Sequence, residues 1–218
     1  STIVGSPEDY TTYLAKDVRG LRVGVPVNAL IDADPQVIRL FREACEAFRS
    51  AGVEVIDTDI PSAEDFDMAN ITGLIVSRCE AANYHRSFNA DTSLYTRPVF
   101  EQLEEASQVQ AVDYLQAQRF RAEFQQRMLA HLNRFDALLM PTCRVPAPKT
   151  TEVERFFLVL SLNCIPWSFI GFPATSIPCG FTSDGLPVGA ELVAGPMEDG
   201  RLLALASALE SAMASTAL

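Results

Sequence analysis

Between Phe156 and Ser183 the chain carries no charged residue, yet Pro166, Pro173 and Pro178 interrupt the run. By length the segment matches a membrane span, which takes ~20 mainly apolar residues. Its contents argue otherwise. Asn163, Thr175 and four serines would each need a hydrogen-bond partner in lipid, and each proline removes a backbone donor. The turn signal Ser183-Asp184-Gly185 follows at once and leads into a second β-like run, "PVGAELVAG". The segment therefore reads as part of a pair of buried strands with an irregular connection, set in a soluble core.

The rest of the composition agrees with a globular protein. The 218 residues are 48% hydrophobic and 21% charged, enough for one large domain or two small ones. The net charge of −11 repels phosphate backbones and anionic lipid, so neither nucleic acid nor a membrane surface is expected as a partner. The five cysteines, at 45, 79, 143, 164 and 179, are odd in number and form no CxxC pair. That excludes an evident disulfide framework or structural zinc site and points to reduced thiols in a cytoplasmic protein. The opening "STIVGSPEDYTTYL" lacks the basic and apolar stretches of a signal peptide.

Periodicity supplies the elements. "LRVGVP" (21–26) reads as a buried strand. Asp34-Pro35 then opens a helix as N-cap and first-turn proline. Val37, Ile38, Phe41, Ala44, Cys45 and Phe48 share one face of that helix, and Gly52 sits where a C-terminal glycine belongs. "VEVIDTDIP" (53–61) is the next strand, completing a βαβ unit with an expected right-handed crossover. Helices are expected over Glu64–Phe88, 97–106 and Ala111–Phe135. The last has an apolar stripe of Val112, Leu115, Phe120, Phe124, Met128, Leu129 and Leu132. "ALLMP" (137–141) is a strand, "ATSIPCG" and "VGAELVAG" are two more joined through Asp184-Gly185, and Asp199–Met213 is a closing helix. The fold class is α/β, a mixed β-sheet flanked by helices. Its parts are an opening segment (1–20), a βαβ unit (21–61), a helical region (62–135) and core strands with the closing helix (136–218).

Several chemistries lack their residues. Gly20 and Gly24 do not make a dinucleotide fingerprint, and no phosphate loop of the GxxxxGK[ST] kind occurs. His85 and His131 stand far apart without a metal-binding companion, so each is expected as a surface or capping residue. For His85 a pocket wall is also open, because Glu80, Tyr84 and His85 fall near one helix edge. No base accompanies Cys143, Cys164 or Cys179 to activate a thiol, and no GxSxG elbow is present. No metal or cofactor is expected.

One likeness organises these observations. "FDALLMPTCRVPAP", followed by "GFPATSIPCGFTSDGLPVGAELVAGP", closely resembles the C-terminal part of the amidase signature family of hydrolases. Gly171, Pro173, Ala174, Pro178 and Gly180 match its G-x-P-A-x-x-x-P-x-G element. Asp184, Gly185, Leu186, Pro187 and Gly189 match D-G-L-P-x-G. "DYTTYLAKDVRGLRVGVP" is similar to the family's passage from catalytic core to C-terminal region, so the resemblance runs from about Ser6 onward.

The resemblance implies hydrolysis of a linear amide through an acyl-serine intermediate, with a lysine and a bridging serine passing the proton. In the family these three groups lie upstream of the matched region, and no Gly/Ser-rich signature occurs in these residues. The expectation is a chain without a catalytic residue, inactive alone, that partners an N-terminal catalytic half. It would supply strands and one wall of a pocket for a small-molecule amide, and a homo-oligomer is possible. The wall candidates are Tyr84, His85, Cys164, Trp167 and Ser168. Relatives often carry Thr-x-Pro-x-Asn where this chain has Cys164, Pro166 and Ser168, and Trp167 is the only tryptophan. Trp167 is expected either to limit substrate size or to sit in the core. Two alternatives stay open: the A-type component of a glutamyl/aspartyl-tRNA amidotransferase, which shares the motifs, and a non-catalytic binding paralogue.

Overall fold

The computed structural model describes residues 8–60, 63–87, 92–156 and 159–216. Phe88, Phe157, Leu158, Pro61 and the first seven residues, to which some expectations extend, lie outside the described residues. The elements run β1 (Arg22–Pro26), α1 (Pro35–Ser50), β2 (Glu54–Thr58), α2 (Ala63–Ser87), α3 (Arg97–Ala106) and α4 (Ala111–Leu132). They continue with β3 (Ala137–Pro141), α5 (Val153–Phe156), α6 (Ile165–Ile170), β4 (Ala174–Phe181), β5 (Pro187–Val193) and α7 (Asp199–Thr216).

The strands form one five-stranded sheet in the order β2-β1-β3-β5-β4. β1 is parallel to β2 and β3, whereas β5 is antiparallel to both β3 and β4. The sheet is therefore mixed. Strand alternation sends neighbours to opposite faces. Ala137, Leu139, Ala190 and Leu192 enter a core with Phe41, Phe48, Leu205 and Leu209 of α1 and α7. Leu138, Met140 and Val193 enter a second core with Phe66 of α2, Phe124 and Met128 of α4, and Trp167 of α6.

Local chemistry sets the boundaries. The Asp34 carboxylate accepts the Gln36 amide at 2.8 Å, capping α1 where the Asp-Pro step foretold. After α1, Gly52 has φ 89°, the left-handed turn that glycine adopts without strain. At the β4–β5 hairpin, Gly185 has φ 78° and its amide reaches the Thr182 carbonyl at 2.9 Å.

Four expectations need correction. Only one member of the expected buried strand pair is buried: β4 lies at the sheet edge, with Ala174, Ser176, Pro178 and Phe181 exposed. The irregular connection contains a helix, α6. It is short and apolar, so it shows no amphipathic period, and Gly171 ends it at φ 75° with its amide bonded to the Trp167 carbonyl at 2.9 Å. On α4, Phe124, Met128 and Leu132 are buried, but Val112 and Leu115 are 64% and 55% exposed. Nothing covers that side of the helix's first turns among the described residues, where Ala117 is the buried member. The helix also ends at Leu132, before Phe135.

No helix of the described residues is long and apolar enough to cross a membrane. The uncharged segment is instead distributed between α6, buried against α2 and α4, and an edge strand.

The α2–α6 contact depends on Gly73. A Cβ there would meet Ile165 Cγ2 at 2.8 Å and Phe169 Cβ at 3.3 Å. Alanine gains ~1 kcal/mol of helix propensity over glycine, but overpacking against a stiff β-branched side chain costs about 1–3 kcal/mol. Gly73→Ala is therefore expected to lower the urea midpoint. Adding Ile165→Ala should make the Gly73→Ala change favourable, and a double-mutant cycle measures that reversal.

Candidate functional site

Polar groups converge where β3 ends. The Thr142 amide donates to the Gly189 carbonyl at 2.9 Å, which extends the β3–β5 pairing by one residue. Its Oγ1 lies 2.6 Å from Ser176 Oγ on β4. These hydroxyls meet directly over Gly189, where a Cβ would stand 2.5 Å from Ser176 Oγ and 2.8 Å from Thr142 Oγ1. The glycine of the D-G-L-P-x-G element thus makes room for a hydroxyl pair.

Two residues along β5, on the same face, Glu191 pairs in register with both Met140 and Ser176. It is only 6% exposed, and its Oε2 has no hydrogen-bond partner among the described residues. Burial pushes its carboxyl up to about 8, opposed only in part by the Cys164 thiol beside it. At neutral pH Glu191 is therefore mainly the neutral acid.

The thiols around it are held unreactive. Cys164 Sγ donates to the Thr142 carbonyl at 3.3 Å, and Cys143 Sγ to the Leu160 carbonyl at 3.1 Å. Burial, with Glu191 adding to it, pushes Cys164 up to about 12 and raises Cys143 as well. Neither is a nucleophile in this setting. Asn163, 1% exposed, fixes the corner by donating to the Pro141 carbonyl at 2.7 Å and accepting from Arg144 Nε at 3.1 Å.

A crevice lies on the other side of α6. Gly73, Ser77 and Glu80 of α2, Arg121 of α4, and Ile165 and Ser168 of α6 line a space of about 150 Å³. Arg121 holds its guanidinium 5.7 Å from the Phe169 ring centre.

The five wall candidates do not gather at one place. Ser168 is exposed on the crevice, and Cys164 lies in the corner beside Glu191. Trp167, between them in sequence, points the other way. It is fully buried, its ring edge-on to Phe66 with centres 5.6 Å apart. Of the two roles expected for it, the structure favours the core. Tyr84 and His85 stand near the far end of α2, where His85 Nδ1 lies 2.7 Å from Tyr95 Oη. His131 is not a surface residue: at 8% exposure it is buried at the end of α4, and burial lowers its pKa.

Sequence reasoning passed over Glu191, Thr142, Ser176 and Asn163. A signal for the first was present, because a single acid inside the apolar run "VGAELVAG" is a charge placed on a buried strand.

A family model described as Amidase matches residues 1–203. The chain belongs to the amidase family. An amidase of Pseudomonas putida is 34% identical over 188 residues, covering 81% of this chain and 40% of the relative. The A-type component of the glutamyl-tRNA(Gln) amidotransferase of Myxococcus xanthus strain DK1622 is 28% identical over 231 aligned positions, covering 93% and 47%. The solved structure of an amidase superposes with a TM-score of 0.76 at 26% identity, over 90% of this chain and 46% of that one. The chain spans less than half the length of each of these three relatives. The amidase motifs map onto the geometry described: Thr142 lies within the matched stretch "FDALLMPTCRVPAP", Ser176 within the G-x-P-A-x-x-x-P-x-G element, and Gly189 within D-G-L-P-x-G.

Glu191 generates a pH dependence of known sign. Below its unfolded value near 4.5 the carboxyl is protonated in both states and costs nothing. As pH rises from there toward 8, the unfolded chain releases this proton while the folded chain keeps it. Stability then falls by at most ~1.4 kcal/mol per pH unit and levels off above that range. Glu191→Gln, which keeps the shape without the titration, should be the more stable protein by a few kcal/mol at the alkaline end and should lose this slope. Urea midpoints of both proteins from mildly acidic to mildly alkaline pH check it. Trp167→Ala is expected to lower stability by roughly 3–5 kcal/mol, as loss of a fully buried aromatic does.

Proposed function

We propose that this chain is the C-terminal portion of an amidase that hydrolyses a linear amide through a serine supplied by the N-terminal catalytic half of the parent protein. The observation that carries the reading is the match to the amidase model over residues 1–203, joined to a span of only 40% of the Pseudomonas putida amidase. The exposed edge strand supports it. Among the described residues, β4 leaves one side of its backbone unpaired in the sheet, and Ala174, Ser176 and Pro178 stand uncovered beside the Thr142–Ser176 pair. An edge of this kind invites a further strand or a covering segment, and the catalytic half is the proposed occupant.

In that parent, Cys164 belongs to the wall facing the acyl group, at the corner beside Glu191, and Trp167 supports it from behind. Ser168, Tyr84 and His85, which stand elsewhere, have no part in that wall. The chain alone has no group that activates a nucleophile among the described residues: the thiols beside the site are half-buried and held protonated. It is therefore expected to be inactive by itself. The cytoplasm is the proposed compartment, consistent with five free cysteines. The amidotransferase reading draws on relatives such as the Myxococcus protein, but a chain of net charge −11 offers no electrostatic attraction to RNA.

The test compares the full-length protein with the 218-residue chain on a series of acyl amides, each with and without a fluorophosphonate probe. The expected outcome is turnover and labelling of one serine outside these residues in the full-length protein, with neither in the chain. Turnover by the chain, or a labelled serine within it, would overturn the division of roles. In the full-length Trp167→Ala protein, kcat/KM should fall alike on all acyl groups, as for a support rather than a size filter.

A further inference from the structure

The far half of α2 extends past the sheet and, with α3 and the start of α4, encloses a second and larger cleft of about 390 Å³. This volume lies within the ~300–1,000 Å³ range of small-molecule sites. The space arises because the walls are small: Ala82 and the buried Ala106 face it where larger residues would fill it. Its polar groups are Glu80, Asn83 and Arg86 from α2, Tyr114 from α4, and Ser107 just past α3, whose hydroxyl donates to the Leu103 carbonyl at 2.9 Å.

These groups are ordered. Gln118 Nε2 donates to Tyr114 Oη at 2.8 Å, which leaves the Tyr114 hydroxyl to donate toward Glu80 Oε1 at 3.4 Å. Glu80 is thereby oriented at one end of the cleft. Arg86 is six residues on, ~9 Å further along the helix axis, and no ion pair joins the two among the described residues. Asn83 lies midway, with a carboxamide that both donates and accepts.

We propose that this cleft binds a dipeptide-like zwitterion, its ammonium on Glu80, its carboxylate on Arg86 and its central peptide group on Asn83. Opposite charges at the two ends disfavour a ligand with one sign only: an anion meets Glu80 and a cation meets Arg86. An α-amino acid carries both charges on one carbon and is too short for ends set this far apart. This inference goes beyond the amidase reading, because it concerns equilibrium binding and does not depend on turnover.

The test is calorimetric titration of the full-length protein with glycylglycine, N-acetylglycylglycine, glycylglycinamide and δ-aminovalerate. Chromatography of the cell contents after each run reports any hydrolysis, which speaks to the amidase reading separately. Glycylglycine is expected to bind about tenfold or more tightly than either singly charged analogue, the loss of one charge-assisted contact. Glu80→Gln should abolish the advantage over the acetylated dipeptide. Arg86→Gln should abolish the advantage over the amide. Asn83→Ala should weaken glycylglycine but not δ-aminovalerate, which has no peptide group. All three replaced side chains are exposed, so the variants are expected to fold. Equal binding of the dipeptide and its singly charged analogues, no binding of any probe, or unchanged preferences in the variants would each overturn the proposal.

Discussion

Strand β3 has no polar side. All five residues from Ala137 to Pro141 are buried, with neighbours alternately entering one core or the other. A central strand buried on both faces requires two helical layers, and the chain provides them from separate stretches. α1 and α7 cover one face, and α2, α4 and α6 the other. The parallel neighbour β1 and the antiparallel neighbour β5 then complete the pairing of its backbone. The functional corner exists because Pro141 ends the buried run and Thr142 is the first residue of this stretch to emerge.

That corner contains an electrostatic conflict. A carboxyl placed in a buried position with one oxygen unpartnered is costly if ionised, and no cation among the described residues pairs with Glu191 to offset the cost. Its neighbours are thiols, a hydroxyl pair and apolar β3, so the conflict is relieved by keeping the proton. Arg144, the cation at this corner, is committed elsewhere: it donates to Asn163 and to the Ile31 carbonyl. Desolvation keeps the cysteines inert. Each of these half-buried thiols would have to ionise at a pH where Glu191 has already lost its proton and raises the thiol pKa further.

The parts of the fold legible in the sequence are those where local chemistry and tertiary packing agree. Asp34-Pro35 caps α1, Gly52 follows its end, and Asp184-Gly185 turns the hairpin, because each residue performs its function within a few positions of itself. The failures share a different cause. α6 is wholly apolar apart from Ser168 and only six residues long, so no periodicity separates it from a loop. β4 matches a buried strand in composition, but whether a strand lies at an edge is decided by partners distant in sequence. Val112 and Leu115 continue a helical stripe past the point where anything described covers it. For the site, the motifs located the right glycines and missed the side chains that those glycines accommodate. Thr142 and Ser176 are 34 positions apart and meet only through strand pairing.

The two clefts follow from the same geometry. α2 is 25 residues long, whereas the strands it crosses have five to eight, so its far half cannot be covered by the sheet. Over the sheet, α2 is packed tightly enough that Gly73 cannot bear a side chain without displacing Ile165. Past the sheet its partners are α3 and the first turns of α4, which approach through alanines and leave space. Glu80 stands at the boundary and lines both the crevice beside α6 and the larger cleft beyond it. The two spaces therefore share one carboxylate in their walls, a consequence of the length of α2 and not of any feature of the sheet.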